Sequence, residues 1–343
     1  MQHEITNPQR LLNEKGNIAE AGFAKEMLWD YRRGDIKASN WRIKEWDYYL
    51  ISNQHYAVAL TIGDNGFAGA LSVSIIDFDK QYDITKTAMI LFPLGKINLP
   101  GTTLKGDVKW TQGGSSYQFK NDGQTRHLTC THANFKNGEP LMCDIVLSDF
   151  PKESMVIATP FDKNAHFYFN QKINCMRASG IVRFGKSEYV FKPDDSLATL
   201  DWGRGVWTYD NTWYWGSLQA VLDDGSLFGW NIGYGFGNTS AASENMLFYN
   251  GRSHKLEDIK FNIPTKDGKD DFMSPWTFTS SDKRFEMTFS PIIDRQAPLN
   301  VGFLCMLPHQ VFGKFNGQAV LDDGTIIEVK NLVGFAEKVH NKW

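Results

Sequence analysis

The chain has 343 residues, 42% hydrophobic and 22% charged, the composition of a folded globular protein. Its 36 basic and 39 acidic residues leave a formal net charge of −3 with no basic block or stripe, so nucleic acid is not an expected partner. No apolar run is long enough for a membrane-spanning helix, and the N-terminus carries no signal-like apolar segment. The four cysteines, Cys130, Cys143, Cys175 and Cys305, are scattered without metal-ligand or redox spacing, and free thiols point to a reducing cytoplasm.

A chain of this length exceeds what one core serves, so two domains are expected, 1–200 and 201–343, divided where the polar "KPDDSLATL" gives way to a tryptophan-rich stretch. Short helices are expected near Glu20–Met27 and Ser240–Met246, and nearly everything else reads as strand and turn. Asn-Gly or Asp-Gly occurs eight times, ending at Gly66, Gly123, Gly138, Gly225, Gly251, Gly268, Gly317 and Gly324. Both residues of such dipeptides tolerate the positive φ of tight hairpins, and most sit between strand-like runs. The fold class is therefore all-β and antiparallel, a sandwich or barrel. "AVLDDG" occurs at Ala220–Gly225 and again at Ala319–Gly324, which is either a repeated strand pair or two uses of one hairpin solution.

In chain order, the first charged strand is "NWRIKEWDYYLI". It alternates Trp41, Ile43, Glu45, Asp47 and Tyr49 against Arg42, Lys44, Trp46, Tyr48 and Leu50, and reads as an exposed strand with local ion pairs. "RHLTCTH" places Cys130 and His132 on one face and His127 on the other, which defeats a three-ligand metal site. "FNQKINCMRASG" carries Lys172 and Asn174 on one face, with Gln171, Ile173 and Cys175 opposite. No P-loop, dinucleotide, HExxH or GxSxG motif occurs, so neither a cofactor nor a metal is expected.

Five of the eleven tryptophans fall between Leu200 and Asn245. From Thr212 to Leu222 neither strand face is polar, so both need cover, by protein or by a ligand. The next strand points Trp230, Ile232, Tyr234 and Phe236 one way and a row of glycines interrupted by Asn231 the other. Glycines there admit close approach, either of a neighbouring ring or of a bound molecule. In "DWGRG", Asp201 and Arg204 are either a structural ion pair or an acid and its tuner in an aromatic cavity. Glu244 and Asn245 close a small-residue loop, where Ser243 is a possible cap.

"LLNEKGNIAEAGFAKEMLWDYRRGDIKASNWRIKEWDYYLI", "YFNQKINCMRASG", "LDWGRGVW", "GWNIGYGFGNTSAASEN", "HKLEDIKF" and "LVGFAEKVHNKW" together resemble domain-of-unknown-function family 2804 over nearly the whole chain. The pattern departs at Thr208, where a proline is expected. More remotely the chain is similar to carotenoid hydratases, AttH-like proteins and some lipocalin-like Diels–Alderases. That similarity implies two tandem lipocalin-like antiparallel β-barrel domains holding a ligand in or between them. The combined expectation is a small, largely apolar molecule bound near the interdomain wall. Asp201, Arg204 and Glu244 would do acid–base chemistry of the hydratase, cyclase or isomerase type. Trp46, Lys172, Asn174, Trp202, Trp213, Trp215, Asn231, Tyr234 and Asn245 would line the site. A non-catalytic lipid or terpenoid carrier, or an interaction protein with a filled aromatic core, is the alternative.

Overall fold

The computed structural model describes residues 2–301 and 304–342. Two large antiparallel sheets dominate. The first runs in the order Tyr82–Leu91, Ala68–Asp77, Tyr56–Asp64, Ile43–Ser52, Leu197–Val206, Phe167–Phe184, Glu139–Ser148, Arg126–Lys136, Ser115–Asn121, Val108–Gln112, and curls into a nearly closed barrel. The second runs Arg252–Lys255, Met246–Tyr249, Leu227–Tyr234, Asp210–Val221, Ile326–Lys342, Leu304–Val320, Phe285–Gln296, Trp276–Ser280, Ile259–Asn262, and forms a half-barrel. The chain passes from one sheet to the other at residues 207–209.

The expected short helices do not form. Residues 20–27 supply a three-residue strand, Gly22–Ala24, paired with Met155–Pro160, and residues 240–245 form an irregular loop. Among the described residues the only helical element is a 3-10 turn at Arg33–Asp35. Local propensity lost to a strand edge that needed a partner. The turn dipeptides fare better. All but one connect adjacent paired strands, while Asn316-Gly317 lies inside Leu304–Val320 and makes a bulge, with Gly317 at φ 147°. Both AVLDDG copies close with the same pair of backbone bonds, Leu222 N–H to Ser226 and Gly225 N–H to Leu222 in one, Leu321 N–H to Thr325 and Gly324 N–H to Leu321 in the other.

The central strands of each sheet are buried on both faces. Ala198, Leu200, Trp202 and Val206 fill the first barrel together with Phe167, Phe169, Ile43, Tyr49 and Ile51. Their neighbours on the opposite face, Trp46, Tyr48, Leu50 and Tyr168, meet Trp213, Trp215, Phe312, Val333 and Phe335 of the second sheet. This is why the Thr212–Leu222 strand has no polar face: one side packs into its own domain and the other against the first barrel. Each such aromatic removes roughly 150–250 Å² from water, so this double cover contributes a large share of the driving force for docking the two sheets.

Two departures from strict alternation decide what faces the junction. A bulge between Ile173 and Met176, with Cys175 at φ 62°, turns Cys175 to the junction beside Asn174, against the expected placement opposite it. At Gly235, φ 90°, the chain leaves the strand and swings Phe236 to the junction, away from Trp230 and Ile232. Gly203 shows the reverse economy. It sits opposite Trp46 on the neighbouring strand, and a Cβ at 203 would fall inside the Trp46 ring. Gly203→Ala is therefore expected to cost about 1–3 kcal/mol through overpacking. Urea unfolding and the near-ultraviolet tryptophan signal check this, since an unchanged midpoint with an unchanged spectrum contradicts the packing described.

Candidate functional site

The regular alternation of Leu197–Val206 separates Asp201 from Arg204. Arg204 points into the first barrel, fully buried, where its Nη2 donates to Asp47 Oδ1 (2.9 Å) and the Pro100 carbonyl (2.8 Å). Its Nη1 donates to the carbonyls of Trp46 (2.7 Å) and Gly203 (2.8 Å), and the guanidinium lies 4.0 Å over the Trp202 ring. Glu45, buried beside it, accepts from Tyr31 and Arg33. The expected exposed charged strand is thus an internal polar network, and the expected Asp201–Arg204 pair is not formed. Burial pushes the Asp47 carboxyl up while Arg204 pulls it down.

Asp201 points the other way, into the junction, and its partner is Lys172, directly opposite on Phe167–Phe184. Lys172 Nζ lies 2.8 Å from Asp201 Oδ1 and 3.8 Å from the centroid of Trp215, a charge held by a carboxylate on one side and an aromatic face on the other. Asp201 Oδ1 also accepts from Asn170 Nδ2 (2.6 Å), and Oδ2 accepts from Trp46 Nε1 (3.1 Å). A buried ion pair survives desolvation only when its remaining lone pairs are met in this way.

Two further carboxyls complete the cluster. Glu244, at the end of the loop, is held over the glycine row. Its Oε1 comes within 3.0 Å of where a Gly233 Cβ would stand, and Asn231 Nδ2 donates to its backbone carbonyl (2.8 Å). Asn231 Oδ1 in turn accepts from Trp215 Nε1 (2.7 Å). Cys175 Sγ likewise comes within 2.8 Å of a Cβ built on Gly229, and Thr159 Oγ1 within 2.8 Å of one built on Gly237. The glycine row is therefore filled by protein atoms. Glu337, on the last strand and directly opposite Trp215, accepts from Trp213 Nε1 (3.1 Å) and from Gln310 Nε2 (3.0 Å). Burial raises both carboxyls, and both feel the Lys172 and Asp201 charges in opposite senses; Glu337 is pushed up to about 7. Gln310 Oε1 is buried without a hydrogen-bond partner. With the amide reversed, it would accept the proton that a neutral Glu337 carries, which fits the raised value.

Of the expected site residues, the structure brings Trp46, Lys172, Asn174, Asp201, Trp213, Trp215, Asn231 and Glu244 to the junction. Asn174 donates to Ser217 Oγ (2.8 Å) and the Trp230 carbonyl (3.1 Å). Asn245 staples the loop, accepting from Gly233 N–H (2.7 Å) and donating to the Glu257 carbonyl (3.0 Å). Trp202 and Arg204 belong to the first barrel's interior, and Tyr234 to the second domain's, stacked on Tyr214 at 4.4 Å. Glu337 and Asn170 escaped the sequence reading. The signal for Glu337 was a single acid on the otherwise apolar face Val333, Phe335, Val339. A small, partly open void between the sheets, bounded by Leu50, Phe78, Ser217 and Phe312, measures about 10 Å³, room for one water. Among the described residues no cluster of His, Cys, Asp and Glu could hold a metal ion, and no helix is long and apolar enough to cross a membrane.

An AttH-like protein of Nitrosomonas europaea shares the fold with a TM-score of 0.51 at 11% identity, covering 90% of this chain and 96% of that one. Kievitone hydratase of Nectria haematococca gives a TM-score of 0.47 at 11% identity, covering 88% of each chain. No curated protein matches the sequence. At 11% identity the first of these structures speaks for the fold alone. The sequence itself matches a family profile from residue 2 to residue 343, and the chain belongs to DUF2804, a domain of unknown function.

Proposed function

We propose that the protein is an acid–base enzyme of the hydratase, cyclase or isomerase class, acting on a small, largely apolar molecule at the junction of its two domains. The observation that carries this reading is one buried cluster that sets an ion-paired carboxyl beside two others. Asp201 is paired with a lysine, whereas Glu337 and Glu244 are raised by burial in the same place. Carboxyls in such different surroundings are what a reaction needs when one proton must be delivered and another removed. Glu337 is the donor in this scheme and Asp201 the acceptor. Lys172 holds Asp201 in place, and Trp46, Trp213 and Trp215 present faces that favour positive charge developing on an apolar substrate. Arg204, held inside the first barrel, takes no part. A standing carrier cavity is not favoured, because the space between the sheets is largely filled by side chains.

Such a reaction exchanges protons with water. Purified protein incubated with a small-molecule extract in D₂O should yield protein-dependent deuterium incorporation into at least one apolar component, read by mass spectrometry. Asp201→Asn should reduce it by a factor of about 10² or more. A folded wild-type protein that labels nothing across extracts of differing origin removes the enzymatic reading.

The state of Glu337 is testable without a substrate. Its folded value of about 7 lies above the ordinary 4.5, so the folded chain holds this proton more tightly than the unfolded chain. The stabilisation it brings is full below about pH 4.5, falls as pH rises, and is gone above about 7, a change on the order of 3 kcal/mol. Glu337→Gln should abolish this component, so that the stability difference between variant and wild type slopes across this interval and is level above it. Denaturant titrations at a series of pH values check this; a difference independent of pH refutes it.

A further inference from the structure

Phe236 is buried although its loop neighbours Gly235, Asn238, Thr239 and Ser240 are exposed. Two glycines at positive φ, Gly235 at 90° and Gly237 at 76°, flank it and give this one residue a turn of its own. Its ring meets Tyr168 and Trp207 edge-on at 4.8 Å, Trp213 at 5.2 Å and Phe161 at 5.3 Å. Those rings are also the ones that reach the cluster. Trp46, whose N–H holds Asp201, packs on Tyr168 at 6.3 Å and on Trp207 at 5.3 Å, and Trp213 holds Glu337. Glu244 lies at the far end of the same loop.

The loop is pinned on the C-terminal side of Phe236, between that residue and Glu244. Asn238 N–H donates to the Pro160 carbonyl and Ala241 accepts from the His3 N–H, both at 2.7 Å, so a rotation about Gly235 and Gly237 can move Phe236 without displacing Glu244. Two fully buried polar side chains each have an atom with no hydrogen-bond partner, Thr159 Oγ1 beside the loop and Asn170 Oδ1 on the neighbouring strand of the first sheet. Thr159 Oγ1 lies 2.8 Å from where a Gly237 Cβ would stand, and Asn170 is the residue that donates to Asp201. Unmet buried polar atoms are costly unless something else meets them.

We infer that Phe236 is a gate, seated in the aromatic box where the ring of an incoming ligand goes, so that the site takes a molecule with an aromatic or comparably flat apolar head and a polar group beside it. This rests on the reading of the junction as a ligand site. It explains how a site with no standing cavity is entered: the side chain that fills it leaves, and the apparent affinity of the wild type is reduced by the fraction of time the box is open.

The probe is 4-fluorophenol, a ring of the size of the Phe236 side chain with one hydroxyl, followed by fluorine NMR. The wild type should bind it in slow exchange, with an association rate that levels off as concentration rises. Phe236→Ala should bind about tenfold more tightly and without that plateau. Phe236→Leu, which keeps apolar packing, should fall between them and guards against misfolding of the alanine variant. Asp201→Asn added to Phe236→Ala should weaken binding. Binding by the truncated variants alone, with none by the wild type at any concentration, marks a void created by substitution and overturns the gate. Equal affinity and rate in all three proteins also overturns it. Binding of the expected pattern without deuterium incorporation in any extract retains the gate and removes the enzyme. Deuterium incorporation that Phe236 substitutions leave unchanged does the opposite.

Discussion

The buried pair of Asp201 and Lys172 is the interaction on which the junction depends. Two unlike charges taken out of water together are tolerated only when every remaining lone pair and proton is met. Here that condition recruits Asn170, Trp46 and the face of Trp215, drawn from two strands of the first sheet and one of the second. Removing either charge would leave the other stranded, so the arrangement fixes how the two sheets face each other as well as what lies between them.

Around that pair the structure is consistently double-sided. The strands that carry Trp46, Lys172 and Asp201 use one face for the first barrel and the other for the junction, and the Thr212–Leu222 strand does the same for the second domain. Each half also carries its own buried polar set. Inside the first barrel Arg204, Asp47, Glu45, Tyr31 and Arg33 form one network of ion pairs and hydrogen bonds, on the opposite strand face from Asp201 although three residues separate Arg204 from it in the chain. Burial raises Glu244 and Glu337 in the same place, where the Lys172 charge pulls both down and the Asp201 charge pushes both up. Packing, polar satisfaction and proton affinity at the junction are one arrangement seen three ways.

Much of this was legible in the sequence. The all-β class, most hairpin positions, and Lys172 and Asn174 on one face all follow from turn chemistry and a period of two. The errors have definite causes. Cys175 and Phe236 were misplaced because a bulge and a positive-φ glycine each interrupt alternation, and neither leaves an unambiguous mark. Glu45 and Asp47 were read as exposed because charge usually is; their guanidinium partners come from Arg33 and Arg204, one of them far along the chain.

Away from Cys175, Phe236 and the Asn316-Gly317 bulge, the sequence by itself determined which residues share a strand face and where the chain turns, since both are set by bonds and torsions a few residues long. It also determined family membership and, with it, the tandem architecture. Only the tertiary structure decided which face of each doubly apolar strand looks into a barrel and which looks across the junction. It alone chose Lys172 over Arg204 as the partner of Asp201 and brought Glu337 from the last strand to the indole of Trp213. Those choices are settled by which strands become neighbours within each sheet, and strands distant in the chain leave no local pattern that records the pairing.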